Sequence, residues 1–175
     1  KRNGDMKLQE YQSAFKTSLG AESFVVLENG HLEGDDTDGH MDTLVRFTPT
    51  NGLVIQACDN RPEDSHFKGL SALVEECKNI FPDHQMYTLP LPEIHNKEGE
   101  RLPASFANFL ICNETILAPV YGTEEDLQAI EVLRKAYPEY AVIGLDCAPL
   151  INQFGSLHCI TMQIPVGTLK PDILA

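Results

Sequence analysis

Apolar residues recur along this chain with two periods, one of three to four residues and one near two, and the alternation between them predicts most of its elements. Leu8, Tyr11, Phe15 and Leu19 lie at helical spacing and Gly20 follows where a helix end favours a left-handed residue, so Asp5 onward reads as an amphipathic helix. Ser23 to Leu27 (SFVVL) is short, aromatic and β-branched, and reads as a strand. Glu28 to Gly39 is polar and punctuated by glycine, and reads as a loop. Met41 to Thr48 and Gly52 to Cys58 then read as two strands of a hairpin turning at Pro49-Thr50-Asn51-Gly52.

A second helix is predicted to open at Pro62-Glu63-Asp64, to bury Phe67, Leu70, Val74, Cys77 and Phe81, and to stop at Pro82. Met86 to Leu91 is extended, and Pro90 and Pro92 restrict it to a sheet edge or a strand end. Ile94 to Pro103 is a polar excursion. Ser105 to Cys112 and Thr115 to Val120 form another strand pair with Asn113-Glu114 at the turn. Thr123 is placed as the cap of a third helix, with Asp126 in a capping-box-like position and Leu127, Ile130, Leu133 and Ala136 on the buried face; Pro138 ends it and Tyr140 to Leu145 is the next strand.

Read this way, a helix is followed by a short strand three times. Twice the join is an aromatic-Pro pair, Phe81-Pro82 and Tyr137-Pro138, 56 residues apart. The recurring unit is strand, strand, helix, strand, and the chain holds two to three of them. Such a unit buries its faces against its neighbours.

Composition adds limits. With 42% hydrophobic and 22% charged residues in 175, the chain is an ordinary α/β globular sequence, expected to form a single domain over 1–175. Its formal charge of −13 argues against nucleic acid or an anionic membrane as partner and suits a small cationic ligand. Five cysteines without a CxxC pair point to neither a zinc cage nor a disulfide framework, and to a reduced, cytoplasmic compartment. No apolar run is long enough for a membrane helix. The start KRNGDMK, without an initiating Met, suggests an excised or processed fragment.

Two stretches carry candidate chemistry: GDDTDGHMD (Gly34 to Asp42) and GSLHCITMQIP (Gly155 to Pro165). A cysteine and a histidine distant in sequence are the minimum parts of a thiol nucleophile and its proton carrier. His40 and Asp42, two residues apart, would share a face if they lay on a strand. Asp35, Asp36 and Asp38 invite a calcium-loop reading. With Gly39 as its central glycine, the first and twelfth ligand positions fall on Gly34 and Val45, and the reading fails. These aspartates instead suit turn formation, and no metal or organic cofactor is called for. Cys58, Cys77 and Cys112 sit inside helix or strand patterns and read as small hydrophobes.

GDDTDGHMDTLVRF, LPLP (Leu89 to Pro92), RLPASFANFLICN (Arg101 to Asn113) and GSLHCITMQIP together resemble, in order and spacing, the agmatine deiminase and bacterial-type peptidylarginine deiminase family. The resemblance covers nearly the whole chain, which matches the C-terminal half of such enzymes. It implies the pentein fold, a pseudo-fivefold α/β propeller, present here as an arc whose exposed ends pair with a missing N-terminal half or with each other. It further implies Cys159 as nucleophile, His40 as general acid and then base, and Asp42 as the carboxylate that holds a guanidinium. The implied reaction is deimination of agmatine to N-carbamoylputrescine and ammonia through a covalent S-alkylthiouronium, with peptidyl or free arginine as the alternative substrate.

The family's N-terminal half supplies further carboxylates, one within a Trp-x-Arg-Asp-x-Gly-Pro motif; this chain has no Trp and no Arg-Asp-x-Gly-Pro, so alone it is expected to be nearly inactive. Where the family has a run of glycines before the nucleophile, Asn152-Gln153-Phe154-Gly155-Ser156 keeps one, and Phe154 is expected to narrow the approach. His158 is expected to position its loop, while Arg46, Ser105 and Asn108 receive no catalytic role. Two other classes compete: a non-catalytic binding module, and a papain-like protease, whose cysteine would precede its histidine rather than follow it.

Overall fold

A computed structural model of the chain describes residues 4–35, 37 and 39–169. The first helix, α1, spans Leu8–Leu19 and ends on Gly20 at φ 69. None of its residues is buried; Tyr11 packs against Phe15 and Phe15 against Phe24. Residues 23–27 belong to no helix or strand, and Val25 and Val26 are half exposed. The expected strand therefore does not form. A strand needs a partner's hydrogen bonds, and among the described residues no strand pairs with it.

Two units of identical topology follow. β1 (Val45–Phe47) pairs antiparallel with β2 (Gly52–Gln56); α2 (Phe67–Ile80) crosses over to β3 (Gln85–Leu89), which runs parallel to β2. β4 (Leu110–Cys112) and β5 (Thr115–Val120) form the second antiparallel pair, and α3 (Glu125–Ala136) leads to β6 (Ala141–Asp146), parallel to β5. In both three-stranded sheets the sequence order is the spatial order. Both hairpins turn on an asparagine at positive φ, Asn51 at 58° and Asn113 at 53°, a conformation Asn tolerates better than most residues. Both aromatic-Pro pairs terminate their helices alike, with Phe81 at φ −122, ψ 61 and Tyr137 at φ −129, ψ 65. At Gly52 only glycine fits, since a Cβ would stand 2.8 Å from the Tyr87 ring and 3.0 Å from a backbone oxygen.

Three predicted elements are shorter than their sequence suggested, and each loss has a local cause. Met41–Thr43 is a turn of 3-10 helix and not strand, because the Thr43 hydroxyl donates to the His40 carbonyl at 2.7 Å and curls the chain. The shared strand face expected for His40 and Asp42 is lost with it. Helix α2 begins at Phe67 instead of Pro62: Asp64 accepts the His66 N–H on its side chain and the Phe67 N–H on its carbonyl, which spends those donors on a turn. Ser105 to Phe109 is buried but irregular, for reasons given below. On α3, Glu124 and not Thr123 holds the cap position; Asp126 reaches back to the N–H groups of Tyr121, Gly122 and Thr123. Leu127, expected inside, is 79% exposed, and Ala129 faces the core in its place.

The layering explains the burial. One face of the first sheet, through Leu53 and Ile55, packs on Leu70, Leu73, Val74 and Cys77 of α2. Its other face, through Val54 and Leu89, packs on Ala129, Ile130 and Leu133 of α3, which also covers Ile116 and Ala118 of the second sheet. Helix α3 is thus sandwiched between the sheets. Polar clamps reinforce the junction: Arg61 meets Glu93 and Glu125, each at 2.7 Å, and the Tyr137 hydroxyl donates to the Phe47 carbonyl at 2.7 Å. Among the described residues, nothing covers the second sheet in the same way. Ile143 and Leu145 occupy in β6 the positions of Tyr87 and Leu89 in β3, yet they are 51% and 43% exposed while Leu89 is 1% exposed.

Candidate active site

Behind the junction, the segment Ala104–Phe109 crosses the core without regular structure, and its backbone polar groups are satisfied by side chains. The Phe106 N–H donates to Gln56 Oε1 at 3.0 Å, and Arg46 donates to the Ala107 and Phe109 carbonyls at 3.3 and 2.7 Å. The Arg46 guanidinium also lies 4.6 Å from the centre of the Phe109 ring; burial lowers its pKa, with Tyr137 and Asp42 pulling the other way. Paired in this way, the irregular segment is held in one conformation.

That conformation aims Asn108. Its Oδ1 accepts the His158 N–H at 2.7 Å and, more weakly, the Cys159 N–H at 3.4 Å. Because two donors identify that atom as the oxygen, the other end of the amide must be the donor, and Nδ2 points at Cys159 Sγ from 3.0 Å. A neutral N–H favours the thiolate over the thiol. The nucleophile candidate thus sits on a 3-10 turn, His158–Ile160, held by a buried amide, with its own residue exposed. Burial raises the other candidates: the thiols of Cys58 and Cys77 are pushed up to about 11, and that of Cys147 upward as well.

The adjacent His158 turns the other way and meets Asp42, Nδ1 to Oδ2 at 2.7 Å. With Nδ1 carrying the proton, the ring donates to the carboxylate and leaves Nε2 available. The structure therefore brings Asp42, His158, Cys159 and Asn108 into one hydrogen-bonded group. His40 is placed next to that group along the chain, at the start of the 3-10 turn carrying Asp42; its residue is exposed and its ring makes no hydrogen bond or ion pair with a described residue. Of the acidic residues before it, Asp35 accepts both the Thr37 N–H and hydroxyl on one oxygen, a local turn, whereas Asp36 and Asp38 lie outside the described residues. Among the described residues no cluster suited to a metal occurs.

The loop leading to His40 is pinned at its base. Buried His66 accepts the Glu33 N–H on Nε2 at 2.8 Å and donates from Nδ1 to Asp64 at 2.7 Å, while Arg101 meets the second Asp64 oxygen at 2.9 Å. Gly34 follows at φ 86 against the Arg101 carbonyl, which a Cβ would approach to 2.7 Å. A cleft of about 490 Å³ opens here, lined by Gly34 and Arg101 on one side and Phe154 of the nucleophile turn on the other. Phe154 itself adopts φ 60, in the left-handed region that favours glycine.

Burial alone would push the Asp64 carboxyl up, but the His66 backbone N–H, the His66 ring and Arg101 outweigh it and hold the group at about 2 against its ordinary 3.8. A depressed carboxylate adds stability above its unfolded pKa and loses it as pH falls through the folded one. Asp64→Asn is therefore expected to cost about 2 kcal/mol at neutral pH. Urea unfolding from pH 7 downward should show the difference between the two proteins closing between pH 3.8 and about 2.

Neither Asn108 nor the contact of Asp42 with His158 was assigned from sequence. A signal for Asn108 existed: Ser105 and Asn108 are the polar residues within an otherwise apolar run from Ala104 to Phe109, and both are buried. The contact of Asp42 with His158 spans 116 residues and had none.

Known proteins resemble the chain over this same extent. A "Putative agmatine deiminase" of Vibrio parahaemolyticus is 33% identical over 186 residues, covering 94% of this chain and 51% of its relative. One of Marinomonas sp. is 29% identical, with 94% and 50% covered. Among solved structures, the "Putative Arginine Deiminase" of Porphyromonas gingivalis superposes with a TM-score of 0.87 at 39% identity, over 94% of this chain and 50% of that one. The agmatine deiminase of C. jejuni carrying C315S, with substrate bound, gives a TM-score of 0.82 at 34% identity, over 89% and 46%. The chain thus spans about half the length of the curated relatives it matches. The sequence model of one family, the Porphyromonas-type peptidyl-arginine deiminases, matches residues 1–165, and the chain belongs to that family.

Proposed function

We propose that this chain supplies the nucleophile half of a guanidino-group hydrolase, and that the whole protein converts agmatine to N-carbamoylputrescine and ammonia. The observation that carries the reading is the hydrogen-bonded group of Asp42, His158, Cys159 and Asn108 on an exposed turn. A guanidinium carbon is a poor electrophile and needs a thiolate, and Asn108 aims an N–H at the Cys159 sulfur from 3.0 Å. Asp42 Oδ2 is taken by His158, which leaves Oδ1 to orient a substrate N–H and present the face of the guanidinium to sulfur.

Attack by Cys159 gives a tetrahedral adduct. His40 protonates the departing nitrogen, ammonia leaves, and an S-alkylthiouronium remains. The imidazole, now neutral, takes a proton from water as water attacks; the C–S bond breaks and the ureido product leaves. Peptidyl arginine is the second substrate reading, favoured by the family description under which residues 1–165 match. Both substrates are cationic, as the charge of −13 suits.

The same reading makes this chain an arc of a pentein propeller. Support comes from the two units of one topology, from a helix and an unpaired run at the N-terminal side where a third unit would stand, and from the uncovered face of the second sheet. With no Trp and no Arg-Asp-x-Gly-Pro in the chain, its partner is the N-terminal half, which brings the remaining substrate carboxylates. The isolated chain is accordingly inactive. A colorimetric assay for ureido product, with agmatine and with an N-blocked arginine peptide, tests this on the chain and on its longest natural form. Turnover of agmatine by the long form alone is expected; silence of both overturns the hydrolase reading, and turnover by the chain alone overturns the requirement for a second half.

A further inference from the structure

The two segments that build the candidate site are also joined behind it. Ser105 Oγ donates to the Thr43 carbonyl at 2.6 Å, and Thr43 directly follows Asp42. The Ser105 carbonyl in turn accepts the Tyr121 hydroxyl at 3.0 Å. Since a carbonyl can only accept, the Tyr121 proton is committed to it, so the 2.8 Å contact between Tyr121 and Ser156 must be Ser156 donating to the Tyr121 oxygen. Ser156 lies three residues before Cys159. Ser105, Tyr121 and Ser156 are all buried. Burial shifts the Tyr121 hydroxyl upward, so it stays protonated and keeps its donor at any pH the fold tolerates.

From this path we propose that Tyr121 is a positioning residue: through Ser156 on one side and Ser105 on the other, it locks the nucleophile turn in register with the Asp42 segment. The proposal rests on the reading of Cys159 as nucleophile, but its observable does not require turnover. Of the front contacts, Asp42 with His158 is partly exposed, and Asn108 with Cys159 joins a buried amide to an exposed residue. The rear path fixes where the turn starts. Without it the 3.0 Å approach of Asn108 Nδ2 to sulfur is no longer enforced, and the thiolate loses its donor.

The test is site-resolved alkylation of Cys159 by iodoacetamide, read by peptide mass spectrometry across pH 6 to 10 so that exposed Cys112 is counted separately. Tyr121→Phe removes one oxygen and keeps the ring packed on Phe106, 5.5 Å away between centroids. Its Cys159 rate at neutral pH should fall about 3- to 10-fold with the midpoint of the profile moved upward, the size expected of one lost hydrogen bond. Ser156→Ala, which removes only the bond to Tyr121, should shift the profile the same way but no further than Tyr121→Phe, which also removes the bond to Ser105, and the double variant should be no slower than Tyr121→Phe alone, because that change already breaks the bond Ser156→Ala removes. A merely structural Tyr121 would lower the thermal midpoint and leave the Cys159 profile unmoved; that result, or additive effects in the double variant, overturns the proposal. Failure of the ureido assay with a shifted alkylation profile would overturn the hydrolase reading and leave the positioning role standing.

Discussion

Cys159→Ser in the longest natural form of the protein should lower deimination by on the order of 10⁴-fold or more, the scale seen when a covalent nucleophile is removed. The change is one atom and leaves the turn its Asn108 contacts, so the loss is chemical. A serine hydroxyl stays protonated where a thiol ionises, and no base bonds the residue 159 side chain: its hydrogen-bond partner is an amide donor, which can stabilise an anion but cannot create one. His158 turns away to meet Asp42 through Nδ1, and its ring makes no hydrogen bond to the residue 159 side chain. Rapid quenching of the wild-type protein with agmatine should give a species heavier by the substrate-derived group on Cys159, absent from the variant. A serine variant that keeps turnover within tenfold of the wild type would show that attack comes from water, and the covalent route would be lost.

The elements legible in the sequence were those whose partners are close along the chain. Both hairpins announce themselves through Asn51 and Asn113, and α2 and α3 through apolar spacing closed by an aromatic-Pro pair, because turn chemistry and helix stops are written locally. Elements decided by distant groups were misread. Residues 23–27 have strand composition but lack a neighbouring strand, and composition cannot report a missing neighbour. Leu127 fits the helical stripe, yet the inward face of α3 is set by the two sheets that flank it, and those select Ala129.

The site divides along the same line. Cys159, His40 and Asp42 stood out as residue types suited to one chemistry, whereas the groups around them did not, since Asn108, Tyr121 and Gln56 act across separations of 35 to 51 residues. Met41 to Thr43 shows how little local sequence was needed to mislead. A single threonine hydroxyl, bonding back to His40, converts an apparent strand into a turn and sends Asp42 toward His158.

Ile143→Asp should be nearly silent in this chain and severe in the longest natural form. In the chain alone the side chain is half exposed, and a surface substitution there should move stability by no more than about 0.5 kcal/mol. The repeat fixes what should change in the whole protein. Val54, Tyr87 and Leu89 of the first sheet lie under α3, and Val54 is fully buried; Leu117, Ile143 and Leu145 hold the same positions in the second sheet. If the next unit brings a helix over that face, a carboxylate at position 143 is buried without a partner, at a cost of about 3 kcal/mol or more. Val54→Asp serves as the reference, since its site is already covered within the chain and should be severe in both forms. Urea unfolding midpoints of the four proteins decide the matter: a long form indifferent to Ile143→Asp would mean that the face stays in water, and that the two units are not an arc awaiting closure.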